Sequence, residues 1–285
     1  MKRFVLLLAA MLALNSIAGE VIKSNDHIDI KIENAQNASG VKGLVGTIDS
    51  SGVNINTGMI WSSDFLRGAL GSNVADAGRL SGNDDILVVQ DTSAAGAPTI
   101  NYVSNASGGA FRIQLATTNE VEAVTLYSGD LKPLNISKGV FFETRVTITP
   151  DVTGAGGTLA AGDKIVLGLA SNRNATLDNI TTNAWFLIKA GTGIYVETDD
   201  NTTDNDDIDS GTTWTSGTAF TLRVEIGTDL YARFYVNGVK VKTYGMTALS
   251  ANTMVQPYIE VAKAAAANMD HRVDIDRLTF GQYTR

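Results

Sequence analysis

The chain has 285 residues, a formal net charge of −8, 28 glycines against four prolines, and no cysteine. Its length holds one large core or two modest ones, and the glycines, with abundant Thr, Ser, Asn and Asp, point to many short strands joined by turns. The absence of cysteine excludes disulfides, thiolate metal sites and a cysteine nucleophile, and an acidic balance without clustered Lys and Arg excludes a nucleic-acid surface.

At the start, Lys2 and Arg3 precede the apolar run Phe4 to Leu14, and small residues stand at Ser16 and Ala18. This is the pattern of a secretory signal, and the run is too short for a transmembrane span. The alternative is a retained apolar segment that docks on a partner. Residues 1–20 are therefore read as a signal-like or docking segment, 21–57 as an N-terminal extended arm with short strands, and 58–285 as the main domain. In the arm, His27-Ile28-Asp29-Ile30-Lys31-Ile32-Glu33 alternates like a strand with one wet face. It either joins a partner's sheet or supplies the first strands of the main domain.

Within the main domain, Ile86 to Val89, Ala110 to Ala116 and Glu122 to Tyr127 read as strands. Gly139 to Thr149 places Phe142, Thr144, Val146 and Ile148 on one face and Phe141, Glu143, Arg145 and Thr147 on the other. A Gly-rich connector precedes the strand Lys164 to Leu169, and Trp185 to Lys189 and Ile194 to Glu197 flank the turn Ala190 to Gly193. Phe220 to Tyr244 is the clearest stretch, with three alternating runs broken at Gly227-Thr228-Asp229 and at Asn237-Gly238. The second break is the dipeptide that a two-residue type I′ hairpin turn demands. Met254 to Val261 and Arg272 to Phe280 close the series, and only Ala262 to Met269 reads as helical. About a dozen strands at regular spacing predict an all-β, two-sheet antiparallel sandwich.

Several of these stretches together resemble a known family. Phe141-Phe142-Glu143-Thr144-Arg145-Val146, Trp185-Phe186, Arg233 to Val239, Val255 to Ile259 and Asp274-Ile275-Asp276-Arg277-Leu278 look like a concanavalin A-like (laminin G-like) jelly roll. With Trp61 to Leu70 and the acidic run after Tyr195, the set resembles virion structural proteins of tailed bacteriophages that carry this jelly roll on capsids or fibres. The resemblance implies a homo-oligomer that docks on a capsid or other particle protein.

The conspicuous chemical feature is Glu197 to Asp209, ETDDNTTDNDDID, read as an acidic hairpin loop. Hard cations take six to eight oxygens, so Asp199, Asp200, Asp204 and Asp206 are the candidate calcium ligands, although the EF-hand glycine and final glutamate are missing. The alternative is a loop whose charges are simply solvated. Trp214, in the polar stretch after this run, is the candidate sugar-stacking residue, whereas Trp185 sits among apolar neighbours and reads as core.

A carboxylate triad of the Glu-x-Asp-x-x-Glu kind that cleaves glycans is not found. The nearest pairs are Glu120 with Glu122 and Asp274 with Asp276. His27 and His271 stand alone, and there is no serine elbow, phosphate loop or dinucleotide fingerprint. The expectation is a non-enzymatic virion structural protein, a capsid decoration or head fibre, without a cofactor unless the acidic run takes calcium. The alternative is a secreted, lectin-like protein that binds cell-surface glycan.

Overall fold

The computed structural model describes the backbone of residues 19–24, 27–32, 44–49, 52–56 and 59–63, and residues 87–103, 109–152, 157–264 and 270–283 with their side chains. The signal-like run 4–14, Phe65-Leu66 and residues 265–269 of the expected helix lie outside the described residues. The chain divides into two compact units, Met1–Trp61 with Tyr283–Arg285, and Ser62–Gln282. In the first, β1 (Gly19–Ser24), β2 (His27–Ile32), β3 (Leu44–Asp49) and β4 (Gly52–Asn56) pair antiparallel in chain order. The strand β5 (Met59–Ser63) follows.

The second unit is an antiparallel sandwich of the jelly-roll kind expected from the sequence. Its strands are β6 (Val88–Asp91), β7 (Thr99–Tyr102), β8 (Phe111–Gln114), β9 (Glu122–Tyr127), β10 (Leu134–Asn135), β11 (Val140–Thr149), β12 (Leu159–Ala170) and β13 (Thr182–Gly191). They continue with β14 (Gly193–Asp200), β15 (Asp204–Thr213), β16 (Ala219–Ile226), β17 (Tyr231–Val236), β18 (Val239–Gly245), β19 (Met254–Lys263) and β20 (Arg272–Gln282). The first sheet runs β15-β14-β13-β12-β19-β9-β6, with β10 on β19, and the second runs β18-β17-β16-β11-β20-β8-β7.

The second sheet obeys the pleat. Phe220, Leu222, Val224 and Ile226 of β16 are buried, as are Phe142, Thr144, Val146 and Ile148 of β11. Between them on the other face, Arg223 pairs with Glu143 and Glu225, and Arg277 with Glu143. The hairpin from β17 to β18 turns at Asn237 and Gly238, both with positive φ (51° and 78°), as a type I′ turn requires. Phe234 of β17 meets Phe186 of β13 edge to face at 5.3 Å, which fixes the inner faces of both sheets.

The first sheet departs from the pleat at its centre. Thr182 to Ile188 of β13 and Val255 to Lys263 of β19 are buried without a break, so both faces of these strands are covered. β19 runs on to Lys263, where a helix was expected to begin at Ala262, because Ala262 and Lys263 still pair with Ala123 and Glu122 of β9.

Among the described residues, two fully buried pairs of ionisable groups sit at strand ends. Lys263 and Glu122 are 0% exposed, with Nζ and Oε2 3.1 Å apart. The ammonium also donates to the carbonyls of Ala116 and Thr118. His271 lies between Asp163, 2.5 Å from Nε2, and the Pro150 carbonyl at Nδ1. Burial pushes the Glu122 carboxyl up from the usual carboxylate range, and Lys263 counters this. Lys263→Met leaves that carboxylate buried and unpaired, and is expected to cost about 3–5 kcal/mol at neutral pH in urea unfolding. Because the folded state then holds the Glu122 proton more tightly than the unfolded chain, the deficit shrinks as pH falls. An equal deficit at acid and neutral pH would contradict this account.

Candidate functional site

Since Phe186 points into the sandwich, its strand neighbours Trp185 and Leu187 point outward. The ladders carry that face across the sheet. Trp185 pairs with Glu197 on β14 and Gly168 on β12, Gly168 with Tyr258 on β19, Tyr258 with Tyr127 on β9, and Tyr127 with Val88 on β6. The parallel row holds Tyr195, Leu187, Val166, Glu260, Thr125 and Gln90. The outer face of the first sheet thus assembles aromatic rings and carboxylates from strands far apart in sequence.

Gly168 makes this packing possible. A Cβ there would lie 2.5 Å from the Ala184 carbonyl and 2.6 Å from the Trp185 Cα. Over the glycine, the rings of Trp185 and Tyr258, from the strands on either side of β12, stack at 5.9 Å and 29°. Leu177 and Ile180, from the connection between β12 and β13, pack on the same cluster with Val166, Ala170 and Tyr127.

The two stacked rings each donate to a carboxylate, while the Tyr127 hydroxyl donates to Gln90 Oε1 at 3.2 Å. The Trp185 indole N–H donates to Glu197 Oε2 at 2.6 Å, and the Tyr258 hydroxyl donates to Glu260 Oε2 at 2.6 Å. Thr125 Oγ1 donates to the same Glu260 oxygen at 3.4 Å, and Lys164 Nζ lies 4.0 Å from the other. Arg173 reaches over this end, its Nε donating to Thr125 Oγ1 at 3.4 Å, while its backbone N–H is held by Asp130 Oδ1 at 2.8 Å. At the other end the Lys189 ammonium lies 4.7 Å above the half-buried Tyr195 ring and pairs with Asp207.

Burial, reinforced by Asp206 and Asp207, pushes the Glu197 carboxyl up to about 7, against the hydrogen bond from Trp185. The Tyr258 hydroxyl is pushed well above its ordinary range by burial and by Glu260 beside it. Among the described residues, one buried side-chain acceptor on this face is unpaired. The Asn183 amide nitrogen donates to the Ile180 carbonyl at 3.2 Å, which fixes its orientation, and its Oδ1 is buried without a partner.

The acidic run is two strands and a tip, not a loop: β14 ends at Asp200, β15 begins at Asp204, and Asn201, with φ of 68°, turns the chain. Asp199 Oδ1 accepts from the Asn201 N–H at 2.7 Å, and Asp200 accepts from the N–H groups of Thr202, Thr203 and Ala248. Asp200 is thereby committed to capping its own turn. Asp204 and Asp206 are exposed on β15. Among the described residues, no group of three or more His, Cys, Asp or Glu is arranged to hold a metal ion.

The expectation for Trp214 is corrected. It is 3% exposed and its backbone N–H bonds to the Thr192 carbonyl at 3.0 Å, so its indole offers no open face to a sugar. Trp185 is buried as expected, but on the outer face. Glu197-Thr198-Asp199 is the carboxylate pair the motif search passed over: i and i+2 on one strand share a face, a signal masked by the surrounding aspartates.

No family model matches the chain, and no curated protein does. Among solved structures it is similar to a protein of unknown function from Shewanella oneidensis MR-1 (TM-score 0.50, 16% identity, 80% of this chain and 87% of that one). It is similar to an endo-β-1,4-glucuronan lyase from the fungus Trichoderma reesei (TM-score 0.50, 14% identity, 73% and 94%). It is also similar to the Emp47p carbohydrate recognition domain (TM-score 0.47, 12% identity, 74% and 93%). At these identities the likeness shows the fold, a concanavalin-like sandwich, and nothing finer. The expectation that the protein is not an enzyme is overturned here, because an architecture shared with a lyase carries catalysis as well as binding. Among the described residues no helix is long and apolar enough to cross a membrane.

Glu197 gives the site a measurable signature. A carboxyl raised from 4.5 to about 7 in the folded state contributes stability that is full below about pH 4.5 and is lost as pH rises through about 7. Tryptophan emission, reporting the bond to Trp185, is expected to titrate with a midpoint near 7, and Glu197→Gln is expected to abolish that transition. A transition that survives the substitution would assign it elsewhere.

Proposed function

We propose that the protein is a carbohydrate-recognition module whose ligand binds along the outer face of the first sheet. The observation that carries this reading is the half-buried Tyr195 ring beside the half-buried Glu197 carboxyl on β14, the latter oriented by the indole N–H of the buried Trp185. A sugar presents an apolar C–H face that the Tyr195 ring can take up and hydroxyls that carboxylates and amides bind, and Glu197 keeps acceptor capacity beyond its one ring donor. The half-buried Tyr195, Glu197, Arg173 and Gln90 are the groups of this face that a glycan can reach. On a glycan array the protein is expected to bind a restricted set of sugars. Tyr195→Ala and Glu197→Gln are each expected to weaken binding by about tenfold or more, with the circular dichroism spectrum unchanged. A folded protein that binds no array glycan would overturn the reading.

One observation favours a second reading, glycan cleavage. A carboxyl whose pKa burial raises to about 7 is suited to give up a proton at neutral pH, and Glu197, with Asp199 two residues along the same face, has that setting. In that case Glu197→Gln removes turnover of a bound polysaccharide and leaves its binding within a few fold.

For the setting, we infer an exposed surface: a virion, which the joined sequence motifs support, or the cell exterior, which the signal-like start supports. Intact mass of the native protein separates them. Residues 1–18 retained in a particle fraction favour the virion, and their loss favours secretion.

A further inference from the structure

Among the described residues of the second unit, one lateral edge of the sandwich bears the open edges of both sheets. β15 ends the first sheet, β18 ends the second, and the two strands touch across the sandwich. Unpaired edge strands offer their backbone groups to any strand that approaches. These two are oppositely charged. β15 carries Asp204, Asp206, Asp207 and Asp209, all exposed, of which only Asp207 is ion-paired to a described residue. β18 carries Lys240 and Lys242, and neither is ion-paired to a described residue. By register Lys240 stands opposite Tyr235 and Lys242 opposite Phe234, so both faces of that edge are charged.

Charge that served only to protect the edges would work with one sign on both. Opposite signs repel like edges and leave one pairing attractive, β15 against a β18. We propose that a second copy of this chain docks on this edge as a two-fold dimer, with β15 of each protomer beside β18 of its partner. A two-fold axis parallel to the strands exchanges the two levels of the sandwich. The first sheet of one copy then meets the second sheet of the other on both levels. Both unlike pairings form together, and neither edge is left for a third copy.

Irregularities break the ladders on both strands, at Asp207, with φ of 54° on β15, and at Tyr235 opposite β18. They limit how far backbone pairing can extend, so the contact leans on charge and is sensitive to salt.

The test uses the full chain in sedimentation equilibrium. A dimer is expected at about 50 mM salt, with its dissociation constant at least about tenfold higher at about 500 mM. Lys240→Asp with Lys242→Asp makes both edges acidic, and Asp204→Lys with Asp206→Lys reverses the other strand. Each variant alone is expected to be monomeric, and an equimolar mixture to form heterodimers. Should a variant fail to fold, zero-length carbodiimide crosslinking of mixed isotope-labelled wild-type protein reports directly: peptides joining Lys240 or Lys242 to the β15 aspartates are expected between labelled and unlabelled chains. A monomer at about 100 µM in low salt, a dimer indifferent to the reversals, a trimer or larger assembly, or crosslinks confined to single chains would each overturn the proposal.

Discussion

The outer half of the molecule depends on three strands, β12, β13 and β19, being buried on both faces. An antiparallel sheet in a sandwich ordinarily leaves one face to water. Seven consecutive buried residues in β13 and the unbroken burial of β19 require a second apolar layer. The connection between β12 and β13 supplies part of it with Leu177 and Ile180, each contributing roughly 1.5–3 kcal/mol when fully buried. A cover over a polar row has to satisfy it as well. Asp130 does so at one end, accepting from the Arg173 N–H and from Gln256 Nε2, so the cover is anchored through a side chain of β19.

Buried charges take the role that disulfides play in many small secreted folds. The Pro150 carbonyl can only accept, so His271 Nδ1 donates to it, while Nε2 is hydrogen-bonded to Asp163 Oδ2. Asp163 also accepts from the N–H groups of Ala160 and Ala264, and so ties the start of β12 to the end of β19. Lys263 and Glu122 do the same for the loop from Ala116 to Thr118. Such pairs add little over apolar packing of equal volume, but each holds one geometry, because a partner removed leaves a charge stranded.

What could be read from the sequence follows from the range of the signal. The three-strand run from β16 to β18 is legible because alternation, a Gly-Thr-Asp break and Asn-Gly are local. The same logic failed at Ala262, whose alanine-rich neighbourhood favours helix while β9 and β12 hold it in a ladder. The aspartate run looked like a loop because charge density was weighed above the alternation of Tyr195, Glu197 and Asp199 within it. Trp214 looked exposed because its neighbours are polar, yet its backbone is pinned at Thr192 and the ring turns inward. The outer row was not legible at all. It needs the order β14-β13-β12-β19-β9-β6, in which strands separated by long stretches of chain lie side by side, and no periodicity encodes that.

The row's geometry constrains its chemistry. Glu197 and Glu260 lie on strands β14 and β19 with β13 and β12 between them, three interstrand spacings or about 14 Å. Paired carboxyls that cleave a glycosidic bond stand about 5 to 9.5 Å apart, so these two do not act on one bond. They stand at the two ends of the buried Trp185–Tyr258 stack, with Gly168 keeping the floor low between them. Chemistry, where it occurs, belongs to the β14 end, where Asp199 and the β15 aspartates lie near Glu197. There, burial raises the Glu197 carboxyl to about 7 and the negative charge of Asp206 and Asp207 adds to the rise, so this acid holds its proton up to neutral pH.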